Sequence, residues 1–236
     1  MKKKLLAGLA TGLFMFGTVG MANASLTTIG TAQFGGTGTE YNLIWDNDNN
    51  GNSVVWLDYS SAQTNWATQN AWAAGLDAVL SISLDGYRVD WDDNSWRLPA
   101  TADGTSNYQN DVNNPAYYSI TSSELGHLYY EELGNLGRFD ANGISQSGFG
   151  LQNTGDFNNI IDFWYWSGTE YASNTANAWM FYTGDGRQIS YGKGYDVVYG
   201  LALRNGQVTA TPIPGAAWLL CSGLAGLVGL KRKKKA

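Results

Sequence analysis

Residues 41–57 decide the fold class. They read Tyr41-Asn-Leu-Ile-Trp45, then Asp46-Asn-Asp-Asn-Asn-Gly-Asn52, then Ser53-Val-Val-Trp-Leu57. The two outer pieces are aliphatic, β-branched and aromatic, the types that fit a pleated, half-buried surface. The Asn/Asp/Gly piece between them carries turn chemistry. The pattern predicts strands over 41–45 and 53–57, joined by a hairpin loop over 46–52. Working outward, Phe163–Ser167, Ala178–Thr183, Arg187–Tyr191 and Val197–Leu203 also read as strands, with Asp185-Gly186 as a hairpin turn. Helical signals are fewer. Gln63–Leu76 places Trp66, Ala73 and Leu76 on or near one face, with Gly75 close to its end. Thr121-Ser122-Ser123-Glu124 fits a capping box, Leu125, Leu128, Tyr129 and Leu133 follow at helical spacing, and Gly134 can stop the run. Residues 100–120 and 138–158 read as polar loops. The expectation is an α+β domain over 40–205, with an antiparallel sheet and two helices, preceded by a lead-in over 25–39 and followed by a linker over 206–211.

The two ends have a different character. Met1-Lys2-Lys3-Lys4 is a basic n-region, Leu5–Val19 an apolar stretch, and Ala22-Asn23-Ala24 a small-residue cleavage site. A signal peptide over 1–24, cut between Ala24 and Ser25, is expected. At the far end stand Pro212-Ile213-Pro214, then the uncharged run Gly215–Leu230, then Lys231-Arg232-Lys233-Lys234-Lys235. The 16 residues of that run span about 24 Å as a helix, slightly short of a bilayer core, and Ile213 and the lysine stems cover the shortfall. A transmembrane helix over 213–230 with its basic end in the cytoplasm follows.

Charge and cysteine usage narrow the function. Three of the 14 cations lie in the leader and five in the tail, so the middle carries six against all 20 acids, a formal −14. That field opposes nucleic-acid binding. Cys221, the single cysteine, sits in the apolar tail, so the exported part has no disulfide and no thiol chemistry.

Few motifs carry chemistry. Asp46, Asp48, Asn50 and Gly51 match the opening of a calcium loop, but Leu57 stands where a bidentate Glu should close it. Calcium there competes with a solvated turn. Asp90, Asp92 and Asp93 are a second acidic group, and paired carboxylates could serve glycoside hydrolysis. His127 is the only histidine, off the apolar face of its helix, which points to an exposed or capping role. One histidine and no cysteine in the domain preclude a Cys/His metal set, and no Ser/His/Asp triad is expected around His127. Among the many aromatics, Trp164, Tyr171 and Tyr195 are the candidates for stacking on sugar faces.

Two resemblances follow from these residues. The tail, with Pro212, Ile213, Pro214 and Gly215, the stretch Ala216-Ala217-Trp218-Leu219-Leu220, and the cluster opened by Lys231, Arg232 and Lys233, resembles a PEP-CTERM sorting signal. It departs from the literal Pro-Glu-Pro in having Ile213. The resemblance implies processing by an exosortase in a bacterium that makes exopolysaccharide. Trp96-Arg97-Leu98-Pro99 resembles the WRLP signature of the Lcl C-terminal domain family. Val55-Trp56-Leu57-Asp58, Trp72-Ala73-Ala74-Gly75-Leu76, Tyr165-Trp166-Ser167-Gly168-Thr169, Ala178-Trp179-Met180-Phe181 and Leu203-Arg204 are similar to its other elements. This resemblance implies a fold similar to C-type lectins and sulfatase-modifying enzymes, and an adhesive role. The oxidase chemistry of the latter needs cysteines that this domain lacks. Read from the residues themselves, WRLP is structural: Pro99 fixes a turn, Trp96 and Leu98 pack, and Arg97 pairs with a buried acid.

The expectation is a non-catalytic protein, exported across the inner membrane, transiently anchored, then at the cell surface or in the extracellular matrix, where it recognises saccharide or envelope polymer. The alternatives are a purely structural biofilm-matrix component and a secreted carbohydrate hydrolase.

Overall fold

The computed structural model describes residues 26–36, 38–92, 95–102 and 115–211. These form a mostly antiparallel β structure with two short helices, an α+β architecture. The larger sheet has six strands in the order β4-β1-β2-β3-β9-β5. They are β1 (Leu26–Phe34), β2 (Glu40–Asn49), β3 (Asn52–Leu57), β4 (Leu80–Leu84), β5 (Tyr87–Trp91) and β9 (Ala202–Ala210). A second sheet holds β6 (Trp164–Glu170), β7 (Asn177–Tyr182) and β8 (Arg187–Gly192) in sequence order. Helix α1 (Trp66–Ala74) is capped by the Asn65 side chain, which accepts from the Thr68 N–H at 3.0 Å. Helix α2 (Glu124–His127) runs directly into a π-helical turn over Leu128–Glu132. Among the described residues, no helix is long and apolar enough to cross a membrane.

The hairpin quoted at the outset is tighter than its composition suggests. Strand β2 continues through Asp46 to Asn49, and Asn49 pairs with Asn52, so the loop is only Asn50-Gly51. Both have positive φ, 52° and 83°, as a type I′ turn requires. A bulge between Asp46 and Asn49 absorbs the extra residue. The acidic loop is thus mostly strand.

Residues at the domain's margins also belong to the sheet. Most of 25–39, expected as a lead-in, is β1, which lies between β2 and β4. The expected linker over 206–211 is largely the second half of β9, paired along β5. The final strand expected over 197–203 starts later: Val198 and Tyr199 make only isolated bridges to Thr64 and Tyr165. Gly, Ala, Asn and Gln positions dilute the β signal of β1 and β9, and pairing supplies what composition lacks.

Successive side chains of β2 and β3 point to opposite faces, and both faces are buried. Leu43, Val55 and Leu57 pack on one side with Ile29, Trp96, Leu98 and Trp166. Ile44, Val54 and Trp56 pack on the other with Leu125, Leu128, Tyr129 and Phe181. Only Asp85 and Gly86 separate β4 from β5, although these strands stand at opposite edges of the sheet. Three Cα steps reach about 11 Å, so the two edges converge at this corner. Where β1 pairs with β4 the backbones approach closely: a Cβ on Gly30, whose φ is 157°, would stand 2.1 Å from the Ser83 carbonyl oxygen. Gly30→Ala is expected to lower stability by roughly 1–3 kcal/mol, read as a shifted urea midpoint. An unchanged midpoint would contradict this approach.

Candidate functional site

The WRLP residues hold the domain together. Trp96 and Leu98 are buried, as is Pro99. The Arg97 guanidinium donates to both oxygens of Glu124, Nη1 to Oε2 at 2.6 Å and Nη2 to Oε1 at 2.7 Å, and Nη2 also donates to Asn205 Oδ1 at 2.6 Å. The Ala100 N–H donates to Glu124 Oε2 at 2.5 Å. The acid expected for Arg97 is therefore Glu124. Helix α2 begins two residues later than the capping-box reading: Ser123 is the cap, its Oγ accepting from the Gly126 N–H at 3.0 Å, and Glu124 serves Arg97. The other motif residues also tie segments together. Ser167 Oγ donates to the Pro99 carbonyl at 2.8 Å, Trp166 Nε1 to the Thr64 carbonyl at 3.1 Å, and the Tyr165 hydroxyl lies 2.6 Å from Ser60 Oγ. Glu124→Ala is expected to cost about 3 kcal/mol, the low end for breaking a buried ion pair, because part of Arg97 reaches solvent. Chemical denaturation would read it; a loss under 1 kcal/mol would reduce the pair to a surface interaction.

The expected sugar-stacking aromatics separate. Tyr171 is only 9% exposed and packs edge-on against Trp179 at 5.4 Å. It belongs to the interior, because the strand pairing of β6 with β7 draws it under the sheet. Trp164 is half-buried, stacked on Tyr182 at 4.7 Å with the Arg187 guanidinium 5.1 Å from its ring. Its face is covered by these partners. Tyr195 alone is exposed, its ring edge-on to Tyr191.

A different aromatic group borders open space. Phe34, Tyr41, Tyr59 and Trp72 form a chain of ring contacts, with centroids 4.8 Å apart for Phe34–Tyr59 and Tyr41–Tyr59 and 6.1 Å for Tyr59–Trp72. None is fully buried. On one side Tyr41 and Tyr59 line a cleft of about 330 Å³ with Ser60, Asn158, Asn159 and Ile161. On the other, Phe34 and Trp72 line an apolar groove of about 920 Å³ between α1 and β4. The buried Asp58 carboxylate fixes the cleft's rim: it accepts from the Asn158 N–H at 2.8 Å, the Asn159 N–H at 2.9 Å and Asn159 Nδ2 at 3.1 Å. Aromatic platforms beside exposed carboxamides suit a ligand with apolar faces and hydroxyl edges. Tyr41 and Tyr59 escape sequence reasoning because one lies near the start of β2 and the other in a loop, brought together only by pairing.

The expected calcium loop does not assemble. Asp46 is fully buried, accepting from Asn49 Nδ2 at 2.8 Å and Trp56 Nε1 at 3.2 Å. Asp48 instead accepts from the Gly51 N–H at 3.0 Å, and Asn50 Nδ2 donates to the Ser123 carbonyl at 3.4 Å. Once the segment folds as a bulged strand, these side chains part. Asp46 meets His127 and Glu132, with one ligand atom from each residue within 4.8 Å of the others. His127 Nε2 lies 3.3 Å from Glu132 Oε1. An exposed or capping histidine was expected, but the side chain is 14% exposed and that of Glu132 only 1%. The π-helical turn is the cause, since its wider winding aligns residues five apart. Burial, then the nearby Asp46 carboxylate, pushes Glu132 up to about 7, and burial raises Asp46 as well. Of the other acidic group, Asp90 pairs with Arg88 at the surface, Asp92 is exposed, and Asp93 lies outside the described residues.

Also outside the described residues are the cleavage pair Ala24 and Ser25, and the sorting residues Pro212, Ile213, Pro214, Gly215, Lys231, Arg232 and Lys233, with the expected helix over 213–230. The chain matches no protein-family model, no curated protein and no solved structure.

Proposed function

We propose that this is an exported, non-catalytic protein of the cell surface or extracellular matrix that recognises a saccharide or envelope polymer through the cleft at Tyr41 and Tyr59. The observation that carries the reading is the cleft itself: two part-exposed rings facing Ser60 and the exposed Asn158 and Asn159. Asp58 holds the asparagine rim in place before any ligand arrives, which lowers the ordering cost of binding. The aromatic chain leads on to the groove at Phe34 and Trp72, which suits a polymer spanning more than one subsite. The −14 charge of the middle favours a neutral chain over an acidic one. Among the described residues, the clustered carboxylates Asp46 and Glu132 line neither cleft, which favours binding over hydrolysis. The resemblance to the Lcl C-terminal family adds a C-type-lectin-like fold to this reading. The resemblance of the tail to a PEP-CTERM signal adds an exosortase as processing partner.

The full chain, exported and collected as the mature protein, should be retained on immobilised neutral polysaccharides. Tyr59→Ala is expected to weaken retention about 10-fold or more, as loss of an aromatic anchor does. Asn158→Ala, at an exposed position, should weaken it without a change in Tm. A glycan array on which the wild-type protein finds no ligand, neutral or charged, would sink the proposal. Mass spectrometry of the same mature protein should find Ser25 at its start and no Lys231–Lys235 cluster at its end.

A further inference from the structure

The cluster beneath β2 is a second site of a different kind, about 17 Å along the strand from Tyr41. Asp46 comes from β2 just before its bulge, and His127 and Glu132 from the α2–π segment packed over it. Two carboxylates and an imidazole therefore converge from separate elements. Glu132 Oε2 and Asn49 Oδ1 are buried without a hydrogen-bond partner among the described residues. Asn49 is fully buried and donates through Nδ2 to Asp46, so its amide already stands against the cluster. Leaving a buried carboxylate oxygen unmatched is costly, and the charge of a second carboxylate beside it adds to that cost. A divalent cation would satisfy both.

We propose that Asp46, His127 and Glu132 supply three of the four ligands of one divalent transition-metal ion of the Zn²⁺ type, in a buried site that joins β2 to the π-helical turn. Tetrahedral ligands around zinc stand roughly 3.4 Å apart. His127 and Glu132 already approach to 3.3 Å, and all three ligand atoms lie within 4.8 Å of one another, so a contraction of little more than ~1 Å at most closes the set. Two carboxylates neutralise the ion, and the imidazole nitrogen selects zinc-like metals over calcium and magnesium, which prefer oxygen alone. Asn49 Nδ2 and Trp56 Nε1 orient the Asp46 carboxylate from behind, as outer-shell donors do. Asn49 Nδ2 also donates to the Glu124 carbonyl at 3.2 Å, linking the site to the Arg97 pair. The exposed edge of His127 is the entry path. The role is structural: the ion locks the bulged hairpin to the helical segment.

The test uses the full chain, stripped with a chelator and titrated calorimetrically with ZnCl₂, CaCl₂ and MgCl₂. One equivalent of zinc should bind, more tightly than either other ion, and raise Tm. His127→Ala and Glu132→Gln should each weaken zinc binding by more than about 100-fold, exceeding what loss of an outer-shell partner does. Glu132→Gln removes a buried charge, so its metal-free Tm should not fall below that of the metal-free wild type. Cobalt in place of zinc should give visible absorption without a thiolate band, which separates this site from Cys221. Absence of zinc binding overturns the proposal. So does binding that survives both substitutions, or a preference for calcium or magnesium.

Discussion

The bidentate pair between Arg97 and Glu124 is the contact on which the rest of the arrangement depends. Arg97 is held by backbone bonds in both directions to Leu203 of β9, 2.9 Å and 3.0 Å, so its guanidinium leaves the large sheet from a fixed point. Glu124 is the first residue of α2. Joining the two pins the start of that helix to the sheet across a long excursion of chain. The Ala100 N–H bonds the same carboxylate, so the turn after Pro99 is fixed with it. Everything that α2 carries is then placed: Leu125, Leu128 and Tyr129 over Ile44 and Trp56, and His127 and Glu132 over Asp46.

This placement explains why the centre of the sheet is apolar on both faces while its ends are not. Strands β2 and β3 are covered on one side by the α2 segment and on the other by residues around Trp96 and Trp166. Towards Tyr41 and Phe34 the cover is incomplete, and aromatic rings stand part-exposed beside the two clefts. One sheet thus presents a closed polar cluster at one end of β2 and an open aromatic surface at the other. The first is suited to holding an ion and the second to holding a ligand with apolar faces.

Much of the local structure was legible from residue types. The strands around Tyr41–Trp45 and Ser53–Leu57, a hairpin connection between them, the buried stripe Leu125, Leu128, Tyr129 and Leu133, and Gly134 as a stop with φ of 63° all follow from pattern and turn chemistry. So does an acid partner for Arg97. Strands β1 and β9 were not legible, because Gly, Ala, Asn and Gln interrupt their strand-favouring residues and pairing with neighbours supplies the stabilisation.

The sequence by itself determined an acidic, cysteine-free α+β domain between two apolar, basic-flanked ends, because composition and charge order are properties of the chain alone. Tertiary structure decided the sites. Asp46 reads as a loop acid until a bulge turns it inward, and His127 reads as a surface residue until a π-helical turn brings it to Glu132 five residues on. Tyr171 reads as a surface ring until strand pairing buries it, while Tyr41 and Tyr59 meet only when β2 and the end of β3 lie side by side. The physical reason is common to all of these. A side chain's direction is fixed by its neighbours' hydrogen-bond register, and one shifted residue moves it to the other face.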